Sequence, residues 1–543
     1  MKRYNSLCLI SLLFFLFFIQ GCIKKTESLE NKAKETMLRA TQFMADSVSY
    51  NGGYVWYYLP DFSRQWGEME AYKTMIWMQH PGTISMGQTF LGAYHATGDE
   101  YYYNAAQKVA AAIIWGQSNE GGWNYMVDFA GDRSLKKWYN TIGKNGWRLE
   151  EFQHYYGNST FDDDVTSDAS RFLLQIYLEK LDPVYKIALD KAIDFILKSQ
   201  YPLGGWPQRY PLMYDFCKNG HPDYTSFYTF NDDVTWENIH FLIQCYLTLG
   251  EQRFLDPIKR GMEFYLVAQD KCGAWGQQLD MKLKIAGART YEPAAFLPST
   301  TFVNAMLLLQ FYQFTGDNRF LNAVPKAIKW LEETKLPEEQ VEEERDHPAF
   351  VDVKTQKPIY VHRKGGNVKY GRYYIDNCDE KLLAHYYGKS RIPLEKLKAE
   401  YERVKNISER ERVEQSPLSA ECFDFKDVTP QRYYGQYRSS CFLIPSDSVV
   451  NEIICALDVR NCWFQKHAFI SNSYSCVEKD NSLFDKYATT MVGDKTDTSP
   501  FEDKSEQKYI STRLYLKNMN ILINYINSKN KKNEHRETKM KRP

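Results

Sequence analysis

The chain repeats itself through its middle, and the repeat length narrows the choice of fold more than any other feature. Thr160-Phe161-Asp162-Asp163-Asp164-Val165-Thr166 returns 69 residues later as Thr229-Phe230-Asn231-Asp232-Asp233-Val234-Thr235. Gly204-Gly205-Trp206 returns at the same interval as Gly273-Ala274-Trp275, and Gly121-Gly122-Trp123 precedes both. Between these landmarks stand turn signals followed by apolar residues at helical spacing. Leu181-Asp182-Pro183 leads into Ala188, Ala192, Ile193 and Ile196, and Thr315-Gly316-Asp317 leads into Ala323, Ala327, Ile328 and Leu331. Each unit therefore reads as helix, tight turn, helix, then a loop carrying Gly-x-Trp. Solenoid repeats of paired helices run at about 34 to 47 residues. A longer repeat of antiparallel hairpins predicts an all-α fold, an α/α toroid, with apolar inner helices (Phe172, Leu173, Leu174, Ile176) and amphipathic outer ones.

Both acidic motifs open an inner helix. One Asp there is explained by capping, because it accepts from free N–H groups at the positive end of the helix dipole. Three carboxylates in one motif and Asn-Asp-Asp in the other, brought to one mouth by the repeat, are costly without a bound cation. Hard oxygen donors of this kind suit calcium or magnesium.

The N-terminus addresses the compartment. Met1-Lys2-Arg3 precedes an apolar run from Cys8 to Ile19, too short for a comfortable span. Ile19-Gln20-Gly21-Cys22 resembles a bacterial lipobox, so Cys22 is the expected lipidation site and the cell envelope the expected location, with ordinary cleavage as the alternative. Formal net charge is zero, which argues against a nucleic-acid partner. Lys529 to Arg542 forms a basic tail, expected to be solvated and disordered. Of the 11 cysteines none forms Cys-x-x-Cys, so a zinc site is not expected. Six of them (378, 422, 441, 455, 462, 476) lie late in the chain, where disulfides are allowed but not assignable.

Four ordered motifs resemble the pectic acid lyases of polysaccharide lyase family 10. They are Gly204-Gly205-Trp206-Pro207-Gln208-Arg209-Tyr210-Pro211, Thr229-Phe230-Asn231-Asp232, Trp275-Gly276-Gln277-Gln278-Leu279-Asp280 and Ala288-Arg289-Thr290-Tyr291-Glu292-Pro293. The resemblance runs from about Gly82 to Lys364. It implies Ca2+ held by Asp162, Asp163 and Asp232, catalysis by Arg289, and a substrate arginine at Arg363. Trp206, Gln208 and Tyr291 become candidate sugar contacts. In the family the two acidic motifs carry Gly where this chain has Asp164 and Asp233, which bears on ion affinity.

The implied reaction is β-elimination on 4-linked galacturonan. A cation and an arginine neutralise the uronate carboxylate, a base removes the C5 proton, and the C4–O4 bond breaks. The resemblance makes Arg289 the base. A guanidinium clamp is the alternative, with Lys282, Lys284 or Tyr291 near in sequence. Trp206 and Trp275 read equally as sugar platforms or as pins between helices, and His154 and His221 are read as structural. Rival functions are a glycoside hydrolase using two of the five aspartates and a non-catalytic glycan-capture lipoprotein. The expected layout is signal and lipobox 1–22, tether 23–30, toroid 31–375, helical extension 376–527 and basic tail 528–543. The expected partner is acidic polysaccharide such as polygalacturonate. The expected protein is a monomer, and the lipid its only membrane contact.

Overall fold

The computed structural model describes residues 28–146, 150–213, 223–364, 372–380, 382, 388–419, 444–468 and 507–540. The signal segment, Cys22 and His221 lie outside them. No helix among the described residues is long and apolar enough to cross a membrane.

Four helical hairpins occupy the middle of the chain. They are α2 (Thr83–Thr97) with α3 (Glu100–Gly116), α5 (Val165–Lys180) with α6 (Pro183–Ser199), α7 (Val234–Leu249) with α8 (Leu255–Ala268), and α9 (Pro298–Thr315) with α10 (Asn318–Glu333). A short α4 (Asp132–Thr141) lies in the first connection, and α1 (Leu29–Phe43) precedes the series. The hairpin turns work by local chemistry. A residue in the left-handed region ends the first helix (Gly98, Leu181, Gly250, Gly316). In three of the four, an Asp side chain then caps the second helix: Asp99 accepts from Tyr101 N, Asp182 from Val184 N and Asp317 from Arg319 N.

The Gly-x-Trp loops pin hairpin to hairpin. Trp123 Nε1 donates to the Ile113 carbonyl at 2.8 Å, Trp206 to Ile196 at 2.9 Å and Trp275 to Tyr265 at 3.0 Å, each ten residues back on the outer helix. All three indoles are fully buried. A fourth pin, unforeseen from sequence, joins Trp463 to Ile453 at 2.9 Å. There Asn461 takes the left-handed position (φ 64°) that glycine holds in the others.

Sequence pattern left open whether the segment after 376 completes the ring or forms a lobe. Its helices join the ring. They are α11 (Leu394–Lys405), α12 (Glu409–Gln415), α13 (Asp447–Ala456) and α14 (Thr512–Met540). α11 packs on α9 and α10, and α12 on α9, while α14 packs on α2 and α1, with α13 against α1. The strand Tyr509–Ser511 pairs with Tyr57–Tyr58, and Thr41 Oγ1 meets the Tyr515 hydroxyl at 2.6 Å. One continuous apolar core runs from Ala33 to Ile526. The two ends of the chain thus meet and close an α/α toroid. The tail is a correction: α14 continues to Met540, because Lys, Glu and Arg favour the helix once a packed turn precedes them.

The loops add short strands that the helical pattern concealed. A four-stranded sheet orders Ala295–Phe296, Phe350–Asp352, Pro358–Lys364 and Arg372–Asp376 antiparallel. Among the described residues Cys245, Cys272, Cys378, Cys455 and Cys462 are free thiols. Cys422, Cys441 and Cys476 lie outside them.

Candidate active site

Each acidic motif is stapled to the Gly-x-Trp loop that follows it. Strand Ser159–Thr160 pairs with Arg209–Tyr210, and Tyr228–Thr229 with Gln278–Leu279. Phe161 N donates to the Gln208 carbonyl and Phe230 N to Gln277, both at 2.8 Å. The chain then makes a single tight turn and enters the inner helix. In both turns two successive aspartates are left-handed: Asp163 and Asp164 at φ 49° and 59°, Asp232 and Asp233 at 48° and 54°. This conformation costs most residues about 1–2 kcal/mol, and glycine, asparagine and aspartate least. It explains how Asp164 and Asp233 can stand where the resembling family carries glycine. The two turns touch each other, so the repeat does bring the acids to one place.

Arg289 sits at their centre, 6 % exposed. Its Nη2 donates to Asp162 Oδ2 at 2.7 Å, its Nε to Glu151 Oε2 at 3.1 Å and its Nη1 to Glu292 Oε1 at 3.1 Å, while Asp232 Oδ2 stands 3.9 Å from Nη1. Glu292 also accepts from the Arg289 backbone N at 2.9 Å, which fixes the loop that carries the arginine. Thr290 is tied to Glu150 through both its hydroxyl and its N–H. Asp162 is wholly buried. The Tyr125 hydroxyl donates to the same Oδ2 that Arg289 holds, and Oδ1 is buried with no hydrogen-bond partner. Gln79 Nε2 donates to Asp163 Oδ2 at 2.6 Å, and Asn231 Nδ2 to Asp232 Oδ2 at 2.6 Å.

The charges are unequal by design of position. Burial pushes the Asp162 carboxyl up, but Arg289, with the hydrogen bonds from Asp232, Tyr125 and Gln208, more than reverses it, and the group ends below the ordinary range. Burial and then Asp162 push Asp163 well up, with Glu68 adding to it. Burial, Asp162 and Asp163 do the same to Asp232. Asp162 adds to the cost of charge on Asp232, a cost that a proton or a cation between them would relieve. Burial disfavours charge on Arg289, yet Glu151, Glu292 and Asp162 hold it protonated well above its ordinary value.

Four carboxyl groups thus surround one guanidinium. Among the described residues no three Asp, Glu, His or Cys side chains are already drawn into a metal cage. The donor set nevertheless fits a hard divalent cation: oxygen ligands in excess of positive charge, and an unpartnered Asp162 Oδ1 beside Asp232 and Asp163.

The structure places Arg289, Asp162, Asp163 and Asp232 together. Trp206 is a buried pin, not a sugar platform. Gln208, 2 % exposed, serves Asp162 instead of facing solvent. Tyr291 packs with Ala295, Phe350 and Val361 in a small apolar cluster beneath the arginine loop. Arg363 lies on the strand Pro358–Lys364, opposite Tyr373, and its side chain is outside the described residues. Lys282 and Lys284 are exposed on a turn, and His154 lies edge-on to Tyr156. The expectation of Arg289 as base meets the opposite electrostatics, because its neighbours keep the proton on.

Sequence reasoning missed Glu151, Glu292, Tyr125 and Gln79. Tyr125 carried a signal: it lies two residues after Trp123, as Gln208 lies two after Trp206, and both reach Asp162. Glu292 stood inside the Arg289 motif. Glu151 and Gln79 come from outside the repeat and carried none.

No curated protein matches the chain. Among solved structures it is similar to a family 10 polysaccharide lyase from Cellvibrio cellulosa, at 18 % identity and TM-score 0.33, covering 50 % of this chain and 84 % of that one. A variant of that lyase in complex with trigalaturonic acid matches alike, at 18 % identity and TM-score 0.33, over 50 % of this chain and 86 % of that one. An unsaturated glucuronyl hydrolase specific for heparin is 10 % identical at TM-score 0.36, over 92 % of this chain and 98 % of that one. Likenesses this faint bear on neither substrate nor residues. The sequence model for pectic acid lyase, by contrast, matches residues 117–403, which include every residue of the acidic turns and Arg289, and on that match the chain belongs to the pectic acid lyase family and is a polysaccharide lyase.

Proposed function

We propose that the chain is a pectate lyase that cleaves 4-linked galacturonan by β-elimination, with a calcium ion held by Asp162, Asp163 and Asp232. The observation that carries this is the unpartnered Asp162 Oδ1, buried against two carboxyls that burial and mutual repulsion push well above their ordinary range. A cation there would neutralise both the surrounding carboxylates and the uronate carboxylate whose C5 proton must be removed.

In the elimination the C5 proton would pass to a base from solvent while the C4–O4 bond breaks and O4 leaves protonated by water; the protein's own groups fix the charge around that step. Arg289, held protonated by Glu151 and Glu292, is a fixed positive charge aimed at the place where enolate-like charge develops. Its orientation is set before substrate arrives, since three carboxylates hold three of its nitrogens. Asp163 and Asp232 remain poised between protonated and cation-bound forms. Residues 1–22 would deliver the enzyme to the cell envelope, with Cys22 carrying the lipid.

Incubating polygalacturonate with the mature protein and calcium should raise ultraviolet absorbance from the unsaturated product. Chelator and Arg289→Ala should each abolish the rise. New reducing ends without absorbance would replace the lyase assignment with a hydrolase, and binding without cleavage would leave glycan capture. Labelled fatty acid incorporated by wild type and lost in Cys22→Ala would establish the anchor; equal labelling would remove it.

A further inference from the structure

A second arginine lies behind the site, and nothing assigned so far uses it. Arg209 is 1 % exposed on the strand that pairs with the first acidic motif, directly opposite Thr160. Among the described residues no carboxylate reaches it. Its Nη1 donates to Asn124 Oδ1 at 3.3 Å, and its Nη2 is buried with no hydrogen-bond partner. The guanidinium instead lies over two aromatic rings, 4.2 Å from the centroid of Tyr156 and 5.3 Å from that of Tyr125. A buried cation with no counter-ion among the described residues is expensive, and cation–π contact returns only about 2 kcal/mol of that cost. So costly a group calls for a reason, and its neighbours supply one.

Tyr125 is gripped on another side by Phe152, edge to face at 5.1 Å, and Phe152 follows Glu151, the partner of Arg289. Tyr156, under the other side of Arg209, packs with Tyr224 and with Ala288, the residue before Arg289. Arg209 is therefore wedged between the tyrosine that holds Asp162 and the one that backs the arginine loop.

We propose that Arg209 is a positioning residue for the lyase reaction: wedged between Tyr125 and Tyr156, it fixes the Tyr125 hydroxyl on Asp162 Oδ2, so that Oδ1 is the oxygen left for the cation. This rests on the reading of Asp162 as a calcium ligand. Arg209 touches neither substrate nor cation and acts only through Tyr125. The planar guanidinium matters as much as the charge, since an ammonium cannot fill the slot between two rings.

The test combines Arg209→Met, Arg209→Lys, Tyr125→Phe and the Arg209→Met/Tyr125→Phe double variant, measured for kcat, KM and calcium affinity by calorimetry. Tyr125→Phe removes one hydroxyl and keeps the ring, so it reports even where Arg209→Met folds poorly. Each single change should lower kcat by about tenfold or more with KM nearly unchanged, and the double variant should lose no more than the worse single one. Calcium affinity should fall several-fold in both. That sign discriminates, because removing a mere nearby positive charge would raise cation affinity. Arg209→Lys should resemble Arg209→Met. Losses that multiply in the double variant, tighter calcium in Arg209→Met, or full recovery in Arg209→Lys would each overturn the proposal. A wild type that neither cleaves polygalacturonate nor binds calcium would sink the Asp162 reading and this one with it. An active, calcium-binding wild type with an unaffected Arg209→Met would sink this one alone.

Discussion

The two acidic turns have one backbone and two chemistries. Their left-handed angles agree within a few degrees, and their staples to Gln208 and Gln277 have the same length. Yet Asp162 is wholly buried under Arg289 and Tyr125, whereas its counterpart Asn231 is half-buried and donates to its own neighbour Asp232. Asp164 sits among Glu237 and Asp168, and Asp233 is exposed. The repeat supplies geometry twice, and charge is concentrated on one copy. A site arises from the asymmetry, since two equal turns would repel without a preferred place for arginine or cation.

That contrast can be broken most severely at Arg289. Arg289→Ala should lower kcat/KM by about a thousandfold or more, as removing a fixed charge at the reacting centre does. It should also lower stability by about 3–5 kcal/mol, because buried carboxylates lose their partner. Chemical denaturation with and without calcium should show the cation recovering part of that loss. A fully stable Arg289→Ala would mean that the carboxyls are already neutral and the arginine is not their counter-charge.

One step down, the turns can be set against each other directly. Asp162→Asn should cost about a hundredfold in kcat/KM, and Asn231→Ala less than tenfold. Equal losses would show that the second turn supplies as much of the chemistry as the first.

The tryptophan pins extend the comparison from the turns to the whole ring. Trp463→Phe should destabilise the protein by about 1–3 kcal/mol, as should Trp206→Phe, through a lost hydrogen bond and an unfilled slot. Neither should change KM for polygalacturonate. A Trp463 variant of unchanged stability would detach the late segment from the ring.

The pins also mark how far sequence could reach. Gly-x-Trp at constant spacing announced hairpins and their order, because three of the loops use glycine at the positive-φ position and all carry tryptophan. The fourth copy escaped since Asn461-Cys462 meets the same backbone demand with other letters. The acidic turns and Arg289 were legible because several charged groups at equivalent positions have few bland explanations. Glu151 was not, because a glutamate in an irregular insert looks like any surface acid until the fold lays it on Arg289. Trp206, Gln208 and Tyr291 came from family resemblance, which carries positions but not burial, and all three are buried. That α14 closes the ring was equally hidden, since an amphipathic pattern states that a partner exists and not which helix it is.

The smallest expected effect is the finest test of the asymmetry. Asp164 is pushed up to about 9 by burial, then by Glu237 and Asp168, with Arg171 opposing. A carboxyl raised in the folded state keeps a proton that the unfolded chain has released, so it weakens the fold progressively as pH rises from about 4 to about 9. Asp164→Asn removes that penalty and keeps a side chain that tolerates φ 59°. In chelator, it should therefore stabilise the protein by about 1–2 kcal/mol at pH 8 and by almost nothing at pH 4. Asp233 is raised too, by burial and Glu237, but stands in solvent, so Asp233→Asn should gain only a few tenths of a kcal/mol. Denaturant midpoints of the two variants at pH 4 and pH 8 decide the matter. Parallel gains would mean that the two turns carry like charge in like surroundings, whereas a gain confined to Asp164 and to the higher pH would place the strain of the site on the first turn alone.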